Sequence, residues 1–350
     1  MNTIITEDIA QIIAADLPWQ KLAGKTILIS GASGFLPSYL VHSIMGLNDS
    51  GRLAKPAKVI ALVRSKSKAE ARFINYLDRM DFRLIVQDIN DLITDVDEDL
   101  HYIIHAASQA SPKYYGSDPV GTLSANIFGT ANLLKLAKEK RVEGFLYFSS
   151  GEVYGQVPAE LARTDELNYG YIDPMNVRSC YGESKRMGEN MCVSWHAQFG
   201  VPVKIVRPFH TYGPGMQLDD GRVFADFVAD IVAGRDIVMK SDGSAIRAFC
   251  YLVDASIGFF TVLFKGKVAE AYNVANDQAV ISIVELAIVL ASLFPAKKLK
   301  VVKKESVEQA DYLKSPITRN IPDVTKLQTL GWQAKYSISE GFLRTIMSFN

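Results

Sequence analysis

Thr26-Ile-Leu-Ile-Ser30-Gly31-Ala-Ser-Gly34-Phe-Leu-Pro37 is the stretch on which the fold turns. Its first five residues are apolar at nearly every position, as in a strand covered on both faces. Gly31 and Gly34 form a turn, and a helix is expected from about Pro37. Backbone N–H groups at a helix start attract a pyrophosphate, and glycine lets the backbone come close to it. Pro37 stands where a third glycine is usual; proline suits a first helical turn, where its missing N–H has no intrahelical partner.

Working outward, apolar runs at 59–63, 84–86, 102–105, 145–149 and 203–206 read as strands, with a charged helix at 66–77 and helical patterns between most of the others. Repeated strand–helix alternation predicts an α/β fold, a Rossmann-type doubly wound parallel sheet. After about residue 208 the rhythm shortens and turn residues cluster at Gly213, Pro214, Gly215, Asp219, Asp220 and Gly221. The expected organisation is a helical extension over 1–24, a dinucleotide-binding domain over 25–208, and a smaller, mainly substrate-binding lobe over 209–350. A segment near 250–276 is expected to return to the main domain, with 271–274 as its strand. Thr6 reads as the N-cap of a helix over 3–17, which Pro18 ends. The stretch 279–294 reads as one amphipathic or buried helix, too short for a bilayer. Ser337 and Glu340 form a capping box that opens the last helix.

Lys+Arg and Asp+Glu are both 38, so no bulk charge draws the chain to nucleic acid or an anionic membrane. A phosphate site must be local. Cys180, Cys192 and Cys250 form no Cys-x-x-Cys pair, which argues against a zinc site or disulfide framework; no metal is expected. That usage, with no secretory leader pattern at the start, points to the cytoplasm.

The turn places Gly31, Ser33, Gly34, Phe35 and Leu36 as candidate cofactor contacts. The second strand runs into Arg64, where an acid would bind the ribose of NAD. Arg64 suits the 2′-phosphate of NADP equally well, or is a solvated helix start. Asp88 and Ile89 follow the third strand on the adenine side, and Ala106, Ala107 and Ser108 follow the fourth. Tyr181 and Lys185 lie four apart on one helix face. A nearby ammonium favours the phenolate, which makes tyrosine a usable base for a sugar hydroxyl. Ser150, at a strand end, is expected beside Tyr181. Glu152 reads as a site acid or a surface carboxylate, Cys180 as packing, and Lys113, Tyr114 and Tyr115 as substrate-facing, with a solvated lysine as the alternative for Lys113.

Several stretches carry a family resemblance: Ala107-Ser-Gln-Ala-Ser-Pro112, Ser150-Gly-Glu-Val-Tyr-Gly155, Arg178-Ser-Cys-Tyr-Gly-Glu-Ser-Lys-Arg186, Tyr212-Gly-Pro214, Asp220-Gly-Arg-Val223, Arg247-Ala-Phe-Cys-Tyr251 and Leu330-Gly-Trp332. The chain resembles the extended short-chain dehydrogenase/reductases of the nucleotide-sugar epimerase/dehydratase group, and most of all the UDP-glucuronate decarboxylases (UDP-xylose synthases). The resemblance implies bound NAD, with NADP as the alternative, and a nucleoside-diphosphate sugar as substrate. It makes Tyr181 the base, Lys185 its electrostatic partner, Ser150 the contact to the reacting hydroxyl and Glu152 the acid near sugar C5. It places Arg247 on the diphosphate and Arg222 near the nucleotide. It also implies a homodimer through the helices around 126–139 and 181–199.

Four positions depart from that pattern. Gly151 stands where sugar 4,6-dehydratases have the acid that protonates the leaving hydroxyl, which disfavours dehydration; decarboxylases have serine there. His210 replaces asparagine and reads more as a hydrogen-bonded loop residue than a catalytic one, and Gly215 replaces arginine. Arg319 is about one position out of register with the family's late arginine. The rivals are a nucleotide-sugar 4-epimerase and, outside the enzymes, a catalytically silent cofactor sensor.

Overall fold

A computed structural model of the chain describes residues 2–158, 160–303 and 317–349. The first half alternates: α1 (Thr3–Ala14), β1 (Thr26–Ser30), α2 (Phe35–Asp49), β2 (Lys58–Val63), α3 (Lys66–Arg72), β3 (Phe82–Val86), β4 (Tyr102–His105), α4 (Lys113–Ser117), α5 (Pro119–Lys140), β5 (Gly144–Phe148), α6 (Cys180–Phe199) and β6 (Val203–Pro208). The second half has shorter pieces: β7 (His210–Tyr212), α7 (Val223–Val232), β8 (Ile237–Met239), β9 (Ile246–Tyr251), α8 (Leu252–Lys265), β10 (Ala271–Val274), β11 (Val280–Ser282), α9 (Ile283–Ser292), β12 (Val301–Lys303), β13 (Arg319–Asn320), α10 (Thr325–Gln328) and α11 (Ile338–Met347).

Seven strands form one sheet in the order β10-β6-β5-β4-β1-β2-β3, and each pairing is parallel. Side chains of a strand alternate between faces, and the two cores show it. Ile27 and Ile29 pack with α1, α2 and α8 residues, whereas Leu28 packs with Leu133 and Leu134 of α5 and Cys192 of α6. Every residue of β1 and β5 is buried, the reason the middle of β1 and nearly all of β5 are apolar. The strand order reverses at β1, so a crevice opens above the C-terminal ends of β1 and β4, where such sheets bind ligands. Beyond it, β9 pairs with β7, β11 and β13, and β8 with β12.

Several boundaries differ from expectation for local reasons. Helix α1 is capped by Asn2, whose side chain accepts from Ile4 N at 2.9 Å. Thr6 lies inside the first turn, and its hydroxyl donates back to the Asn2 carbonyl. Gly34 caps α2, which starts at Phe35, ahead of Pro37. Helix α3 stops at Arg72 because Phe73 leaves helical geometry and turns into an aromatic group with His42, Tyr76 and Phe82. The 279–294 stretch is two elements: 280–282 pairs with β9, and Ser282 then caps α9 with Glu285. The second capping box, Ser337 with Glu340, opens α11 as expected.

Helix α1 is fastened by a buried acid. Asp8 accepts from the Tyr251 hydroxyl at 2.7 Å and from Arg344 Nη2 at 2.7 Å, joining α1 to β9 and α11. Another buried acid reports on stability. Asp254 is 1% exposed and accepts the backbone N–H groups of Lys335 and Tyr336. Burial lifts its carboxyl from the ordinary 3.8 to about 6. The folded state therefore holds this proton more tightly than the unfolded chain does. Its stabilising effect is full below about pH 4 and is lost as pH rises through about 6, a swing of at most ~3 kcal/mol. Asp254→Asn, which keeps one acceptor, is expected to flatten that decline in urea-denaturation midpoints measured across the same window.

Candidate functional site

The site begins with a backbone approach. Gly31 has φ +65°, and a Cβ there would lie 2.7 Å from Ala107 Cα. Only glycine lets the turn after β1 meet the loop after β4 this closely. Ser30 fastens the two: its hydroxyl accepts the N–H groups of Ala106 and Ala107, both at 3.2 Å, and meets His105 Nδ1 at 2.9 Å. His105 Nε2 in turn meets Thr130 Oγ1 of α5 at 3.0 Å. Burial lowers His105 to about 3, so it is neutral. At the start of α2, Gly34 brings no side chain to cap the helix, and Ser33, Phe35 and Leu36 are part-buried beside it. Ile89 is buried, Asp88 is part-buried and accepts from Asn90 N, and Arg64 is exposed at the end of β2. The buried hydroxyls of Ser108 and Ser149 have no hydrogen-bond partner among the described residues. Two orphaned hydroxyls at strand ends around one crevice call for a polar ligand.

Beside that crevice, α6 presents Tyr181 and Lys185, 7% and 2% exposed. The Tyr181 phenol lies near the side chain of Ser150, which pulls its pKa down, and Ser150 Oγ accepts Glu152 N at 3.2 Å. Lys185 Nζ donates to the Phe148 carbonyl at 2.7 Å and lies 5.8 Å from the centre of the Tyr181 ring. Burial dominates both groups. It pushes the phenol up to about 12, against the pull of Ser150, and the ammonium down to about 7. The expected lowering of the phenol by the lysine is not found: burial, Ser150, Glu152 and Arg222 set the phenol, the ammonium is spent on a strand-end carbonyl, and the dry surroundings hold both groups towards neutrality.

Two neighbours complete the group: Tyr115, expected only to face substrate, and Arg178, for which no separate role was expected. The Tyr115 ring stacks on Tyr181, centres 5.1 Å apart and planes 14° apart, and its hydroxyl donates to the Ala110 carbonyl. Arg178 pairs with Glu152 at 3.3 Å and lies 5.8 Å over the Tyr115 ring. The only sequence signals were the Lys113-Tyr-Tyr run and a position one helical turn before Tyr181. Cys180 packs with these rings, as its sequence setting suggests. The Phe209 ring lies 3.0–3.1 Å from where a Cβ of Gly151 would stand, so an acid there would have to displace it.

His210, Arg222 and Arg247 gather at β7, α7 and β9. His210 Nδ1 is buried without a hydrogen-bond partner among the described residues. Burial, then Arg247 and Arg222, drive its basicity well below the usual range. Arg222 pairs with Asp220, Nε to Oδ2 at 2.7 Å, and Arg247 donates to the carbonyls of Ile246, Ile317 and Thr318. Lys113 is tied to the Asp219 carbonyl at 3.0 Å and to its carboxylate at 3.3 Å, and Ser111 donates to the Asp220 carbonyl, so the loop after β4 is clasped to the loop before α7. The part-buried Tyr114 ring lies under the Lys113 ammonium at 5.4 Å. Arg319 stands elsewhere: it donates to the Ala162 carbonyl and lines a cavity of about 280 Å³ whose walls include none of the other three. Its strand neighbour Asn320, buried and in register with Arg247, faces inward instead.

The family model of the NAD dependent epimerase/dehydratase family matches residues 27–275. UDP-glucuronic acid decarboxylase 5 of Arabidopsis thaliana is 34% identical over 318 residues, 90% of this chain and 86% of that protein. UDP-glucuronic acid decarboxylase 1 of Danio rerio is 31% identical over 329 residues, 93% of this chain and 73% of that protein. Among solved structures, UDP-glucuronic acid 4-epimerase from Bacillus cereus, in complex with UDP-glucuronic acid and NAD, has a TM-score of 0.76 at 22% identity and covers 93% of this chain and 98% of its own. The dTDP-glucose 4,6-dehydratase DesIV from Streptomyces venezuelae, with NAD and TYD bound, has a TM-score of 0.79 at 22% identity, covering 93% and 96%. These two likenesses are of fold.

The glycine approach can be tested directly. Gly51 also has positive φ, +63°, but a Cβ there would meet nothing within 4 Å. Gly31→Ala is therefore expected to destabilise the protein by about 1–3 kcal/mol more than Gly51→Ala, compared by chemical denaturation.

Proposed function

We propose, for a chain that belongs to the NAD dependent epimerase/dehydratase family, that it oxidises C4 of a nucleoside-diphosphate sugar and decarboxylates a uronic acid, as UDP-glucuronate decarboxylases do. One observation carries the reading: a buried phenol close to a strand-end serine, one helical turn from a buried ammonium, beside the crevice at the sheet's switch point. The decarboxylase relatives, matched over nine-tenths of the chain, support the choice of reaction.

The 31–36 turn and the start of α2 would hold the pyrophosphate of NAD, 106–108 the nicotinamide side, and Asp88 and Ile89 the adenine; the orphaned Ser108 and Ser149 hydroxyls fit such a guest. Arg64 would face the adenosine ribose, where NADP carries its extra phosphate. When bound, NAD takes the C4 hydride and later returns it. Tyr181 accepts the proton of the C4 hydroxyl, Ser150 hydrogen-bonds that hydroxyl, and Lys185 supplies positive charge. A phenol resting near 12 is almost wholly protonated at neutral pH, and only its phenolate, once its own proton has left to solvent, can accept the C4 proton; the Ser150 hydroxyl and the ammonium matter to the rate by favouring that phenolate. With C4 a ketone, a carboxylate on C5 belongs to a β-keto acid and leaves as carbon dioxide. Glu152, braced by Arg178, stands as the acid near C5. His210, Arg222 and Arg247 form the anion site for the diphosphate within the 209–350 lobe, with Lys113 and Tyr114 at its edge; Arg319, in its separate cavity, is left out of it.

Leu123 and Phe128 of α5, and Met187 and Val193 of α6, are exposed apolar residues on two helices that pack together. They suit a homodimer interface, in a protein whose three cysteines are free and buried, as a cytoplasmic setting permits. The B. cereus epimerase keeps a second reading open, 4-epimerisation, which needs no Glu152.

Purified protein given UDP-glucuronate is expected to release carbon dioxide and a UDP-pentose. Galacturonate as product would favour epimerisation, and no conversion of any nucleotide sugar would overturn the proposal. Tyr181→Phe is expected to lower kcat roughly 10³-fold with bound cofactor unchanged, read by mass spectrometry of ligands released on denaturation.

A further inference from the structure

Lys185 is a fully buried cation with a carbonyl for its close partner. Among the described residues its ammonium forms no ion pair; it donates to Phe148 O at 2.7 Å and lies 5.1 Å from the Tyr147 ring centre. A charge so placed is costly unless an opposite charge acts on it. One turn further along α6, Glu189 shares its face and is 7% exposed. Arg207 of β6, 1% exposed, grips the Glu189 carboxylate twice, Nε to Oε1 at 2.8 Å and Nη2 to Oε2 at 2.6 Å. The remaining contacts of that guanidinium go to the Tyr154 hydroxyl at 2.8 Å, the Glu166 carbonyl at 3.0 Å and the Tyr169 hydroxyl at 2.5 Å. Five contacts match the five N–H donors of an arginine. Glu189 is thereby fixed in place by a side chain that has no freedom of its own.

The other groups around Lys185 carry no negative charge near neutral pH. Tyr181 and Cys192 on α6 and Tyr147 on β5 are pushed upward by burial, and His105 on β4 is pushed down. Glu189 is the anion that acts on the lysine, and it favours the charged form. Arg207 stands behind it on β6.

We propose that Glu189, clamped by Arg207, is a positioning residue that keeps Lys185 an ammonium beside Tyr181 and so sets the upper pH limit of turnover. The proposal rests on the reading of Tyr181 and Lys185 as the proton-handling pair. It extends that reading to two residues that meet neither crevice loop and gives the buried Arg207–Glu189 pair a task beyond packing. The sign is fixed. Removing the anion makes the ammonium lose its proton at lower pH, so the alkaline fall of kcat moves towards acid.

The test uses the whole protein as purified, with lysines ¹³C-labelled at Cε and Lys185 assigned by Lys185→Arg. The double variant Glu189→Gln/Arg207→Met removes both charges at similar volume, a change buried pairs tolerate. Glu189→Gln/Arg207→Gln takes its place should the first not fold. The Lys185 titration midpoint is expected to fall by about one pH unit, a tenfold change in its protonation equilibrium. The alkaline limb of kcat should move with it and KM should stay constant. Glu189→Asp, which keeps the charge, is expected to restore most of the midpoint. A folded double variant with an unmoved Lys185 midpoint would overturn the proposal and leave the pair a packing element. Wild-type inactivity towards nucleotide sugars would refute the activity proposed above, whereas the lysine titration answers the present question in either case.

Discussion

The close approach of Gly31 to Ala107 is the constraint on which the molecule's chemistry depends. It exists because β1 and β4 are parallel neighbours and the sheet order reverses between them. The loops above their ends diverge to opposite sides elsewhere, but here a missing Cβ lets them touch. Ser30 and His105 convert that contact into a hydrogen-bonded floor running through to α5. A helix start without a side-chain cap and two orphaned buried hydroxyls, just past the ends of β4 and β5, accompany it. Each of these groups would be a cost in an ordinary loop, since unpaired polar atoms are expensive to bury.

Dryness is the second theme. Tyr181 and Lys185 are shifted in opposite directions, and both shifts favour the neutral form. Proximity on a helix face is therefore insufficient to make a tyrosine acidic; the charge that would do it must itself be kept in a place that resists charge. The surrounding structure works against that resistance with the nearby Ser150 hydroxyl, the Phe148 carbonyl and the carboxylate of Glu189. The same logic runs in the lobe, where His210 is held neutral between two guanidiniums that are themselves pinned by Asp220 and by backbone carbonyls.

Much of this was legible from local pattern. The strands at 102–105 and 271–274 have their expected limits, short runs of largely apolar residues that the sheet buries along nearly their whole length. The capping box at Ser337 is a short-range device and reads directly. Local pattern failed where a distant partner overrode it. β9 drew 280–282 out of an apolar helical run, and the Asn2 side chain reached the start of α1 ahead of Thr6. Phe73 left α3 for an aromatic cluster that joins residues far apart in the chain.

Sequence by itself determined the layered α/β fold, the glycine turn, and the identity and spacing of Tyr181, Lys185 and Ser150. Those features depend on periodicity and on backbone conformations that only certain residues adopt. Tertiary structure decided the environment of each group: that Tyr115 covers the phenol, that Arg178 braces Glu152, that Arg319 stands apart from Arg247, and that burial dominates the phenol. Desolvation and charge act through space between residues scattered along the chain, so their balance is set only once the fold has brought them together.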